Sequence, residues 1–207
     1  VDASVCSSSS APDAPLVVYV SKMISVPLSV IPRQPGDPVL ATSSGSGEVF
    51  LAFGRVYSGV AREGARVHVL SAAYSPATPA THRQTAVLGP LFLMMGRALQ
   101  RLAVVPAGNV LAIAGLESAI LKSATLTSTP AARPLAPMMF QSAAIVKVAI
   151  EPVHPAEMPA LVEGLRLLNR ADPFVEVSVA ETGEHVLAAA GEVHLETCVK
   201  DLRERFA

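Results

Sequence analysis

The 207 residues are 51% hydrophobic and 16% charged, a balance that excludes a globally disordered chain and allows one or two buried cores. Aromatic residues are 4% with no Trp, so the interior rests on Val, Leu, Ala and Met, and recognition of single strands by exposed stacking rings is not expected. The net charge of −1 hides an asymmetry: residues 1–141 hold ten basic and six acidic side chains, and residues 142–207 hold six and eleven, which points to two surfaces with different partners.

Residues 1–14 are small, polar and Pro-containing, and read as a disordered lead-in. The chain opens at Val1 rather than Met and is expected to be part of something longer. Leu16 to Met23 is β-rich and reads as a buried strand. Pro27, Pro32, Pro35 and Pro38, followed by Ser43, Ser44 and Ser46, mark a Pro/Ser insertion at about 25–47, since such a run fits neither an interior strand nor a helix. Phe53 to Leu70 reads as strand, tight turn, strand, with Gly59 and Gly64 bracketing the connection, a scaffold hairpin of a small barrel.

Tyr74 to Gln84 carries Pro76 and Pro79 and reads as a loop. Leu91 to Met95 is a strand ending at Gly96. Val104 to Ile113 is strand, Pro/Gly turn, strand, and Lys122 to Thr127 is a last short strand. Short strands separated by turns predict a β-barrel over residues 15–129. Pro130, Pro134 and Pro137 then predict a stiff linker over 130–141.

From 142 to 207 the period changes. Ile145 to Ile150 alternates as a strand. Glu157 and Pro159 open a helix with Met158, Leu161, Val162, Leu165 and Leu168 on one face, stopped at Ala171-Asp172-Pro173. Val175 to Val179 and Val186 to Ala190 are strands around the turn Glu181–Glu184. A second helix begins near Gly191 with Leu195, Val199, Leu202 and Phe206 on one face. The order β-α-β-β-α predicts a split βαβ sandwich of ferredoxin-like type, incomplete before its last strand.

No GxxxxGK[ST] loop and no GxGxxG opening a helix is present, so no nucleotide phosphate cradle is expected. Cys6 and Cys198 are too few for a disulfide framework or a zinc spacing, and a reducing compartment is the default. His194 and Cys198 stand at i,i+4 with His185 and Glu184 near in sequence. Packing against Leu195 and Val199 explains them better than ligation, and no metal or catalytic residue is assigned. Glu181 and Glu184 read as solvated turn residues. Leu102 to Leu116 is uncharged but broken by Pro106, Gly108 and Asn109, too short for a membrane span, and no signal peptide is visible. Arg55, Arg62, Arg66, Arg97, Arg101 and Lys122 dot the β part. Arg55, Arg62, Arg66 and Lys122 are the candidates for contact with phosphates of folded RNA.

The β part resembles domain II of the elongation factor 2 family through Phe53-Gly54-Arg55-Val56, Ser58-Gly59, Gly64, Met94-Met95-Gly96-Arg97, Pro106-Ala107-Gly108-Asn109-Val110 and Leu121 to Leu126. The α/β part resembles domain III through Leu161-Val162-Glu163-Gly164-Leu165, Ala171-Asp172-Pro173, Gly183-Glu184-His185 and Gly191 to Glu196. Glu151 to Pro159, Glu181 to Leu187, Asp201 to Ala207 and the Pro/Ser insertion resemble the branch of elongation-factor-like GTPases that matures the 60S subunit. The translocase branch is the alternative, and a free-standing RNA- or protein-binding barrel is the alternative of another class. The resemblance implies a cytoplasmic coupling fragment that works on the pre-60S subunit, through rRNA and ribosomal proteins. With the Shwachman–Bodian–Diamond protein it would help release the anti-association factor. GTP and Mg2+ would bind a G domain of the intact parent, so the fragment is expected to be monomeric and inactive alone, away from membranes.

Overall fold

The computed structural model describes residues 1–11, 13–34, 47–78, 80–96, 98–138 and 144–206. It divides into two compact units, one formed by Val1–Ala41 and Glu48–Met138 and the other containing Met139–Ala207.

The first unit is antiparallel throughout. Its strands are β1 (Val17–Pro27), β2 (Glu48–Ser58), β3 (Val60–Arg62), β4 (Arg66–Leu70), β5 (Arg83–Val87), β6 (Leu91–Met95), β7 (Ala98–Leu102), β8 (Val104–Pro106), β9 (Val110–Ile113) and β10 (Ala124–Thr127). Eight of them form one sheet in the order β5-β4-β10-β1-β2-β9-β6-β7, and β3 and β8 form a separate ribbon. Register shifts between Val17 and Val18 and between Val20 and Lys22 interrupt the β1–β2 ladder, which bends and twists the longest strands of the sheet.

The two faces of β2 explain the unit. Phe50, Ala52, Val56 and Ser58 point inward and are buried along the whole strand. On the outer face, Val49 and Leu51 are covered by a second cluster with Ile31, Phe92, Ala112 and Ala114. Further along, Phe53 and Tyr57 are half-buried and Arg55 is exposed. Each fully buried Leu, Ile or Phe in these clusters contributes about 1.5–3 kcal/mol relative to exposure.

Several sequence expectations are corrected here. Phe53–Leu70 is not a hairpin, because β2 pairs with β1 and β9 while β4 pairs with β10 and β5. The cause is Gly59. Its φ of +75° turns the chain away into β3, which pairs with β8 instead. A Cβ at Gly59 would lie 2.8 Å from the Leu16 Cα, so the turn is packed directly against the start of β1. Val104–Ile113 is likewise divided, with β8 on the ribbon and β9 in the main sheet.

The lead-in is not wholly irregular: Asp2–Cys6 forms a helical turn, α1. The Ser4 and Ser58 hydroxyls lie 2.6 Å apart in a hydrogen bond, and the Gly59 amide donates to the Ser9 carbonyl. The Pro/Ser insertion begins later than expected, because β1 runs on to Pro27 and is followed by a 3-10 turn over Leu28–Val30. The Ser25 hydroxyl donates to the buried Glu48 carboxylate across the β1–β2 pair. Residues 35–46 of the insertion, Arg97, and residues 139–141 of the linker lie outside the described residues. Residues 130–138 of the linker run against the barrel. The Tyr74 hydroxyl donates to the Pro130 carbonyl, the Leu135 amide to Thr125 Oγ1, and the Met138 amide to the Tyr19 hydroxyl.

The second unit has three antiparallel strands in the order β11 (Val146–Ile150), β13 (His185–Ala189), β12 (Glu176–Val179). Helices α2 (Met158–Ala171) and α3 (Glu192–Asp201) accompany them, and α3 runs into a π-helical turn over Leu202–Phe206. Leu161, Leu165 and Leu168 are buried as expected, but Met158 and Val162 are exposed, and Gly164 and Leu167 take their place inside. The shift follows from the neighbour. A Cβ on Gly164 would come within 2.9 Å of Leu202 Cδ1 and 3.0 Å of the Phe206 carbonyl oxygen. On α3 the buried line is Cys198, Leu202 and Phe206, not Leu195 and Val199. The wider turn at the helix end keeps these three at four-residue spacing on one side.

Candidate functional site

The candidate RNA-contact residues do not converge. Arg62 on β3 and Arg66 on β4 are exposed at either side of the Glu63-Gly64 turn. Arg55 is exposed on β2, with its guanidinium over the Tyr57 ring, 5.7 Å from the centroid. Lys122 stands just before β10, half-buried and engaged by a neighbour. Arg101 on β7 donates from one terminal nitrogen, Nη2, to both oxygens of the Glu63 carboxylate at 2.8 and 2.9 Å, a charge-assisted contact that ties it to the β3–β4 turn. The basic excess is therefore spread over the barrel, with Arg55 set apart by its aromatic support.

In the second unit the structure joins three residues that sequence spacing joined only in part. Asp172, at the end of α2, meets His194 and Cys198 of α3, with candidate ligand atoms all within 4.8 Å of one another. His185 is not a member: it stands on β13, across from Ile150 and Val179. The bonding fixes the chemistry. The Ala190 amide donates to His194 Nδ1 at 3.1 Å, so Nε2 carries the hydrogen and donates to Asp172 Oδ2 at 2.7 Å. The other Asp172 oxygen accepts the Phe174 amide at 2.8 Å. Burial, with Asp172 and Asp201 adding to it, pushes the Cys198 thiol up to about 11. A protonated thiol is a poor nucleophile and metal ligand. Both imidazole nitrogens and both carboxylate oxygens are already bonded, and the group reads as a polar clamp between the end of α2 and the start of α3. Asp172 is legible in the sequence only as a helix stop. Its contact with a residue 22 positions away leaves no local signal. Glu184 accepts from the Thr182 hydroxyl at 2.9 Å and both are exposed, as turn residues.

Two concavities stand out among the described residues. In the second unit, a groove of about 610 Å³ runs between β11 and the two helices, lined by Val148, Ile150, Pro152, Leu161, Val199 and Leu202 among others. There β11 is an edge of the described sheet. In the first unit, a cleft of about 450 Å³ lies on the bare half of the β2 outer face. No described helix is long and apolar enough to cross a membrane.

A bulged antiparallel barrel followed by a small α/β sandwich is the arrangement of the middle domains of translation factors. The comparisons agree domain by domain. Residues 50–127 match the family described as Elongation factor Tu domain 2, and residues 142–207 match Elongation Factor G, domain III. The chain thus carries two consecutive domains that match elongation-factor domain families. Its sequence similarity is to elongation-factor-like proteins. It is 48% identical over 194 residues to Elongation factor-like GTPase 1 of Mus musculus, covering 86% of this chain and 17% of that protein. It is 49% identical over 160 residues to Ribosome assembly protein 1 of Schizosaccharomyces pombe, covering 77% of this chain and 16% of that protein. The chain thus spans about a sixth of these relatives. A crystal structure of a Thermus thermophilus protein, ttk003000868, superposes with a TM-score of 0.64 over 92% of this chain and 24% of that one, at 24% identity, which shows the shared fold.

Proposed function

We propose that these two domains are the coupling section of a GTPase that matures the large ribosomal subunit. The observation that carries this reading is the 48–49% identity, across both domains, to relatives named for elongation-factor-like GTPase activity and for ribosome assembly. In this reading GTP and Mg2+ are held by a G domain elsewhere in the parent, and the barrel and sandwich transmit its state to the pre-60S subunit. The Shwachman–Bodian–Diamond protein is the protein partner, release of the anti-association factor is the output, and the cytoplasm is the place.

Charge supports a division of labour. The basic excess of residues 1–141 suits rRNA, and the acidic excess of residues 142–207 suits a basic protein partner. The test uses the full parent protein with large subunits that carry the anti-association factor. GTP-dependent release that needs the Shwachman–Bodian–Diamond protein is the expected result. Failure of the parent to associate with those subunits overturns the reading. Partner affinity should also fall as salt rises. Affinity that is flat with salt removes the electrostatic part alone.

A further inference from the structure

The bare half of the β2 outer face has a chemistry that its charge alone does not explain. Phe53, Arg55 and Tyr57 project there, β1 brings Tyr19 alongside Arg55, and β9 brings Val110 to its other side. Val5 of α1 and Leu135, Ala136 and Met138 of the linker complete the walls of the cleft. The chain has six Phe and three Tyr, and three of these nine rings gather at this one site. The overall scarcity of rings argues against base stacking, and their concentration here reverses that argument. Arg55 is exposed over the Tyr57 ring, so a delocalised cation is held at the edge of an apolar recess.

We propose that this cleft takes one unstacked nucleotide of a single-stranded or looped RNA. The base enters among Phe53, Tyr57 and Val110, and the phosphate meets Arg55. Exposed Val110 and Met138 would close on the apolar faces of the base. An apolar protein side chain would fit the same recess. The cation at its edge and the basic excess of residues 1–141 favour a polyanion. The proposal rests on the reading of the barrel as the rRNA-facing part, and it sharpens that reading to one site.

The 207-residue chain has no Trp and three Tyr, and two of the three, Tyr19 and Tyr57, line the cleft, so quenching of tyrosine fluorescence reports on it. Octauridylate is titrated against the chain at low salt, beside an abasic octamer with the same phosphates. Quenching by octauridylate alone, with about tenfold tighter binding than the abasic octamer, is expected. Arg55→Lys, which retains the charge, should weaken octauridylate by at least about threefold, and Tyr57→Leu by about tenfold, each with an unchanged circular dichroism spectrum. Equal binding of the two octamers, no quenching, or an Arg55→Lys chain equal to the unsubstituted one overturns the cleft. So does quenching by an apolar tripeptide amide that octauridylate cannot displace. Sedimentation of the parent protein with large subunits separates the two levels. Sedimentation without quenching removes the cleft and leaves the ribosomal reading. Quenching without sedimentation does the reverse.

Discussion

At Gly164 helix α2 packs against the Leu202 side chain and the Phe206 backbone of the π-helical turn. A methyl there would press on Leu202 Cδ1, which can turn aside, and on the Phe206 carbonyl, which cannot without moving the π-helical turn. Gly164→Ala should therefore destabilise the chain by about 1–3 kcal/mol, outweighing the roughly 1 kcal/mol that Ala gains in helix propensity. Urea unfolding followed by helical circular dichroism checks this, and a stabilised variant would refute the contact. Cys198 gives a second residue-level outcome. Its thiol ionises at about 11 in the folded chain against a reference of 9.0, so between those values the folded state holds the proton that the unfolded state has lost. Stability should fall by about 2–3 kcal/mol as pH rises from 9 through 11, and Cys198→Ala should flatten that fall. Below pH 9 the two proteins should run parallel. At pH 8 a maleimide should label exposed Cys6 alone in the folded chain, and Cys198 as well only after unfolding.

At the scale of elements, β6 is legible in the sequence to the residue, because Leu91–Met95 is a continuous apolar run closed by Gly96. The α2 and α3 helices are also legible, but their buried faces are displaced, since which stripe goes inside depends on where the neighbouring helix crosses. Strands β5 and β7 escape a reading by pattern because they are sheet edges with mixed polar sequences such as Arg83-Gln84-Thr85. Such edges are recognised by pairing and not by pattern. The most instructive difference is the segment from β2 to β4. Its residues are those of a hairpin, yet the two strands are separated in the sheet by β1 and β10. Gly59 makes the difference. Gly59→Ala combines a positive φ with a close backbone approach, and a loss of about 2 kcal/mol or more is expected, read by thermal unfolding of the barrel. A variant as stable as the original would show that β3 does not depend on that turn. The same limit governs the sites: Arg55 stands out in the sequence, but the rings around it come from β1 and β2, 36 positions apart between Tyr19 and Arg55, and no local spacing records their meeting.

For the molecule as a whole, two units of opposite charge balance share one chain, and neither contains a nucleotide cradle or an activated catalytic group among its described residues. The segment between the last barrel strand and Met138 has no helix or strand, and composition alone would class it as a spacer. Its amides tell otherwise. Leu135 and Met138 donate to side-chain oxygens of Thr125 and Tyr19, so in a hydrogen–deuterium exchange record these two positions of the irregular stretch should be slow where a tether's would be fast. Tyr19→Phe should release the Met138 amide to fast exchange while leaving Leu135 protected. The barrel's slow-exchanging unit would then reach beyond its last strand, to the ninth residue of what the sequence presents as a spacer.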